Sequence, residues 1–285
     1  LDPLSAIVHR NVAFTYMLMG DRQNAAIHFD RSLVLGPDFF GKEFLVLNIY
    51  SLNQDSAEKA IRFASKYYET IPETVPHKTT LALLSLTADS PNKAKIFIDQ
   101  AKQLIPDHPR IIDAEIALQG YYGNWQEVIT LLKQKEDLRP LDKSVKFQLG
   151  YAYFFASDFD SLSSHLEKHS ALLREDWRIR FLSKSHSQFR VSTDIEASTP
   201  VIENGMQKIT TLISENKLTE AHLALRQFVT QGYIDDFSQH WWTIDKDPLF
   251  TALHKESGFN VIKNNLDQKK AALRELFKEV PTTSL

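Results

Sequence analysis

Along residues 4–37 the apolar positions repeat with helical rather than strand spacing. Ile7, Val8, Val12, Phe14, Tyr16 and Leu18 fall on one broad face of a helix that Pro3 introduces at a position a first turn tolerates. Gly20-Asp21 then interrupts the pattern. A second helix is predicted from Gln23 to Leu35, burying Ala25, Ile27, Phe29, Ser32 and Leu33 before Gly36-Pro37 stops it. The short connection makes the two helices antiparallel neighbours. Ala25 is small because they approach closely there, and Tyr16 and Phe29 fill the space on either side.

The small position recurs at Ala57, Ala94, Val128, Leu162 and Ala221, each followed four residues later by an aliphatic: Ile61, Ile98, Leu132, Leu166 and Leu225. Pro3 to Pro37 and Pro106 to Pro140 are each 34 residues apart, and "FQLGYAYFFASDFDSL" carries Leu149-Gly150 and Tyr153 ahead of an aromatic-rich turn. With Val12-Ala13, Tyr16, Gly20, Ala25, Phe29, Ser32 and Pro37 at the matching offsets, the chain resembles the tetratricopeptide repeat (TPR) family. The resemblance implies an all-α TPR-type α-solenoid, a right-handed superhelix of antiparallel helix pairs with a C-terminal capping helix.

On this reading residues 1–182 form an array of about five repeats, at 4–37, 38–72, 75–106, 109–140 and 143–174. Repeats two to four lack the Leu-Gly pair, and Lys135 stands where Ala is expected. Residues 183–200, "SKSHSQFRVSTDIEASTP", are Ser/Thr-rich and weakly periodic, which predicts a linker or loop. Residues 201–285 are expected to hold a further TPR-like hairpin, near 202–233, and C-terminal capping helices. There Asp247-Pro248 reads as N-cap and first helical residue, and Phe259, Ile262, Leu266, Leu273 and Phe277 trace one apolar stripe on a charged helix. Such a helix closes the exposed end of a solenoid with a polar outer face. Because the chain starts Leu1-Asp2-Pro3 without Met, and Pro3 reads as the last residue of a preceding repeat, a fragment or processed product is expected.

Composition narrows the function classes. Hydrophobic content of 43% with 9 Gly in 285 residues describes an ordered, helix-rich chain. A formal charge of -3 without a long Lys/Arg run argues against direct nucleic-acid contact, and no apolar stretch approaches the roughly 20 residues that span a bilayer. With no Cys there are no disulfides, thiolate metal sites or Cys nucleophiles.

Motifs for chemistry are sparse. The scattered Gly residues supply neither a phosphate-cradling loop nor a Gly-x-Ser-x-Gly elbow. His165 and His169 in "HLEKH" lie one helical turn apart, but Glu167 points about 200° around the helix from His165, unlike a zincin pair. They read as surface or groove histidines, and no metal or cofactor is expected. "HWWTIDKDPLF" offers His240, Trp241, Trp242, Asp245 and Asp247, the residue types of an acid-base site beside an aromatic platform, yet they read as a plug on the last repeat's apolar face. Tyr67-Tyr68 and Tyr121-Tyr122 read as packing at helix ends.

TPR arrays bind on a concave surface lined mainly by the first helix of each repeat. By that resemblance the exposed first-helix positions are Arg10, Phe14, Met17, Lys42, Val46, Arg110, Asp113, Phe147, Tyr151 and Phe154. Mixed charge with aromatics suits an extended peptide or a partner's helix. The family's best-known groove clamps a C-terminal carboxylate with Lys, Asn, Asn, Lys and Arg. The corresponding positions here are Arg10, Phe14, Glu43, Pro76 and Thr80, which predicts no recognition of chaperone tails.

"LDPLSAIVHRNVAFTYMLMGD" with the terminal "DPLFTALHKESGF" resembles the C-terminal TPR region of multidomain bacterial signalling proteins, namely ToxR/CadC-like transcriptional regulators and TolB-like or class III cyclase proteins. That resemblance implies a non-enzymatic protein–protein interaction module in the regulatory or sensory arm of such a protein, with a protein or peptide partner or self-association. It places the chain in the bacterial cytoplasm or periplasm, attached to a membrane-anchored parent. A stand-alone TPR adaptor scaffolding an envelope or secretion complex is the other reading the sequence leaves open.

Overall fold

A computed structural model describes residues 5–19, 21–36, 54–67, 73–169, 205–230 and 250–282. Every regular element among them is helical, and no strand occurs in these residues. The helices are α1 (Ala6–Leu18), α2 (Arg22–Leu35), α3 (Gln54–Tyr67), α4 (Val75–Thr87), α5 (Pro91–Leu104), α6 (Pro109–Tyr122), α7 (Trp125–Leu138), α8 (Lys143–Phe155), α9 (Phe159–Lys168), α10 (Gly205–Ser214), α11 (Leu218–Thr230) and α12 (Phe259–Phe277). A 3₁₀ turn, Leu253–Lys255, precedes α12. Packing divides the chain into unit 1, comprising residues 1–114 and 268–285, and unit 2, comprising residues 115–267. The described residues are all-α, and successive helices pair as hairpins. In unit 1 α1 packs on α2, and α4 packs on both α5 and α3; in unit 2 α8 packs on α7 and α9, and α10 on α11.

The hairpin turns show why the chain reverses where it does. After α4, α6, α8 and α10 the backbone enters the left-handed region at Asp89, Gly123, Ser157 and Asn216, the first three each 34 positions after the last. The next amide then reaches back five residues: Ser90 N–H to the Ser85 carbonyl at 2.8 Å, Asn124 to Gln119 at 2.9 Å, Asp158 to Tyr153 at 2.9 Å and Lys217 to Leu212 at 2.9 Å. Asp21 makes the same bond to Tyr16 after α1, at 2.9 Å. This closure satisfies carbonyls that a helix end leaves open and turns the chain at once into the next helix. Asp21 and Asp158 then cap α2 and α9 by accepting from the N–H groups of Asn24 and Ser161. Thr74 and Asp142 do the same for α4 and α8.

The small position of every second helix is interior. Ala25, Ala57, Ala94, Val128, Leu162 and Ala221 are buried, and so are Phe29, Ile61, Ile98, Leu132, Leu166 and Leu225 four residues on. Ser32, also buried, donates its hydroxyl to the Phe29 carbonyl at 2.8 Å, so the helix itself satisfies its polar atom. Tyr16 stacks on His28 with ring centroids 5.5 Å apart. Two expected core residues of this hairpin differ: Ile7 and Ile27 are exposed, because each lies on the side of its helix turned away from the α1–α2 contact.

In unit 1 α4 is enclosed on almost all sides. Besides its aliphatic residues, His77, Lys78, Thr79, Thr80, Ser85 and Thr87 are buried. Lys78, 2% exposed, places its ammonium 2.6 Å from the Glu73 carboxylate, which answers the cost of burying that charge. On α12, Phe259, Ile262, Leu266, Leu273 and Phe277 are all buried, as the stripe predicts. No helix among the described residues is long and apolar enough to cross a membrane. Residues 38–53, 183–200 and 231–249 lie outside the described residues. So do the linker, the "HWWTIDKDP" readings and the first helix of the second repeat.

Candidate partner-binding surface

The sequence-derived groove residues fall in both units. In unit 1, Arg10 is half-buried on α1 and Phe14, one turn later, is 39% exposed. Arg110 and Asp113 are half-buried on α6. Met17 lies on α1, but its side chain, like the whole of Lys42 and Val46, is outside the description. Of the carboxylate-clamp positions, Pro76 is half-buried and Thr80 is buried, so position 80 presents no surface to a ligand.

In unit 2, α8 carries the densest aromatic set. At 100° per residue, Phe147, Tyr151, Ser144, Phe155 and Gln148 span an arc of about 100°. Ser144 is exposed and the other four are half-buried, whereas Val145, Leu149, Gly150, Ala152 and Tyr153 on the opposite side are buried. Phe154 corrects the sequence reading. Its direction is close to that of Phe147, yet it is only 5% exposed, because at the end of α8 it meets Phe155 and Phe159 edge-on, at 6.1 and 6.4 Å between centroids. It is core.

Three residues of this arc, Ser144, Phe155 and Gln148, were not singled out from the sequence. Phe155 stacks on Trp125 at 4.4 Å and 16°, which fixes the edge of the arc against α7. Gln148 has a buried side-chain oxygen with no hydrogen-bond partner among the described residues. A helical wheel of α8 would have placed both beside Phe147 and Tyr151. The unmet acceptor is visible only in three dimensions.

Beside the arc, α7, α8 and α9 bring charged groups together. Lys146 donates to Glu136 at 3.0 Å, and the ring Nε2–H of His165 donates to the Lys146 carbonyl at 2.8 Å. His165 is therefore an interior residue and not a surface one, with His169 4.8 Å and Tyr153 5.7 Å away between ring centroids. Burial pushes the His165 pKa below its ordinary value, against the opposing effects of the Lys146 carbonyl and Glu136. Burial, then His165, Lys146 and Lys168, lowers His169 as well. Burial would raise Glu136, but the hydrogen bond and charge of Lys146, helped by His165 and Lys168, hold it below its ordinary value. With His165 Nε2 committed to a carbonyl, the HLEKH pair does not present two free ring nitrogens of that kind to an ion. No group of three or more His, Asp or Glu suited to a metal forms among the described residues.

No family model matches the sequence. No curated protein matches it either. Among solved structures, the chain is similar to a tetratricopeptide repeat protein from Parabacteroides merdae, at 9% identity and a TM-score of 0.40, over 96% of this chain and 98% of that one.

Proposed function

We propose that the chain is a non-enzymatic protein-interaction module that holds a peptide or helix of a partner on the α8 arc of unit 2. The observation that carries this reading is the run of half-buried Phe147, Gln148 and Tyr151 along one arc of α8. Aromatic side chains on the same arc supply area with little loss of side-chain freedom, the usual make-up of a binding hot spot. Arg10, Phe14, Arg110 and Asp113 in unit 1 are further contact positions under this reading.

The resemblance of "DPLFTALHKESGF" to bacterial signalling proteins supports placing the module in the regulatory arm of such a protein. The test is a peptide display selection on the whole chain, followed by affinity measurement with the selected peptides. Phe147→Ala and Gln148→Leu should each weaken binding about tenfold or more while costing no more than about 1 kcal/mol of stability. Selection of no peptide, or affinities indifferent to both changes, would remove the α8 arc as the docking surface.

A further inference from the structure

In unit 1 the chain's own C-terminal segment lies against side chains of α3 and α5. At the end of α12, Phe277 and Val280 bury their side chains completely. Lys93 of α5 points its ammonium at the main chain between them, donating to the carbonyls of Phe277 and Val280 at 2.8 Å each and of Lys278 at 3.4 Å. An ammonium has three protons, so these three carbonyls use all its donors. Its charge also sits 5.1 Å from the centre of the Phe277 ring. Gln100, two turns along α5, donates from its side-chain amide to the Thr282 carbonyl at 2.6 Å, and Ser65 of α3 donates to that of Glu279 at 3.4 Å. Arg274 pairs with Asp89 at the near end of the same face.

The carbonyls of residues 277, 278, 279, 280 and 282 are thus all read by side chains of α3 and α5. Contacts to main-chain carbonyls do not depend on which side chains the segment carries. Only the two buried anchors, three positions apart, do. Gln100 also keeps a buried side-chain oxygen with no partner among the described residues. A carboxamide places a donor and an acceptor side by side, the complement of a peptide unit, and here only its donor half is used.

We propose that this α3–α5 face is a peptide-binding surface held by residues 277–282 as a ligand in cis, and that a partner peptide with two apolar anchors three positions apart binds there by displacing them. The proposal is independent of the α8 reading, since the residues involved all belong to unit 1. Tethering gives the resident segment an effective concentration of order millimolar, so a competitor acts only at comparable concentration or with better anchors.

The test uses the full chain and hydrogen exchange at Lys278, Glu279 and Val280, whose amides bond to the carbonyls of Glu275, Leu276 and Phe277. The probe is the synthetic peptide LFKEVPTTSL, residues 276–285, with a scrambled version as control. At several times the tethered concentration, roughly 5–10 mM, the peptide should accelerate exchange of the chain's own segment about fivefold, and the scrambled peptide should not. Lys93→Met, which keeps the stem and removes the donors, should accelerate it about tenfold without peptide and abolish the peptide response. If that variant loosens α4 and α5 throughout, Gln100→Leu replaces it with the same two readouts. Exchange indifferent to the peptide means the segment is a fixed part of the fold, and exchange indifferent to the substitutions means the carbonyl contacts do not hold it. Either result overturns the proposal.

Discussion

Phe154 separates binding surface from core. It is 5% exposed and makes edge-on contacts with Phe155 and Phe159, whereas Phe147, seven residues earlier on nearly the same line of α8, is half-buried. Truncating Phe154 to Ala forfeits about 2–3 kcal/mol of apolar burial. The two ring contacts add about 0.5–1.5 kcal/mol each. Summed, these come to about 3–6 kcal/mol, in line with the cost of opening a cavity at a core Phe. Phe147→Ala leaves a notch open to water instead of a sealed cavity and should cost about 1 kcal/mol. Hydrogen exchange of the α8 and α9 amides reads these numbers locally, which suits a chain of two units better than one global melt. At about 1.4 kcal/mol per factor of ten, Phe154→Ala should speed exchange by about 10²–10⁴ and Phe147→Ala by less than about 10. Equal, small accelerations in both variants, with helix content intact, would refute the placement of Phe154 in the interior. A combined alanine replacement of Phe147, Tyr151 and Phe154 would confuse lost binding with lost fold.

Three further outcomes follow from the same packing. Ala25→Leu inserts three heavy atoms at a completely buried crossing of α1 and α2 and should cost about 1–3 kcal/mol in thermal or urea unfolding; a neutral result would mean the helices do not meet there. Ser157 has φ of 56°, so Ser157→Gly should stabilise by about 0.5–1 kcal/mol and Ser157→Ala should not, as differential melts of the two variants would show. Acid should destabilise unit 2 in two steps. Burial holds His165 below 6.5, so as pH falls from 6.5 towards its folded value the unfolded chain takes up a proton that the folded chain refuses, and stability drops. Glu136 is held below 4.5, so its contribution is complete above 4.5 and is lost as pH falls through its folded value. His165→Gln keeps a donor for the Lys146 carbonyl and should flatten the first step while leaving the second, measured as unfolding midpoint against pH.

The sequence by itself determined the helices and much of what each buries. Period and spacing suffice for that, because a small residue at a helix crossing and an aliphatic four positions later must face the neighbouring helix whatever lies further away. The buried series from Ala25 and Phe29 to Ala221 and Leu225 was legible for this reason, as was the stripe of α12. Exposure at a helix end was not legible. Phe154 and Phe147 share a direction on the helix, and the rings of Phe155 and Phe159, the latter brought in by the turn at Ser157, meet Phe154. His165 is interior because the Lys146 carbonyl and the rings of Tyr153 and His169 meet it, and the Val-Pro-His-Lys-Thr-Thr start of α4 gives no sign of being enclosed. The landing place of the C-terminal segment was likewise undetermined, since the contacts of Lys93 and Gln100 join residues more than 180 positions apart. Local periodicity says which face of a helix seeks cover. The tertiary structure decides what covers it.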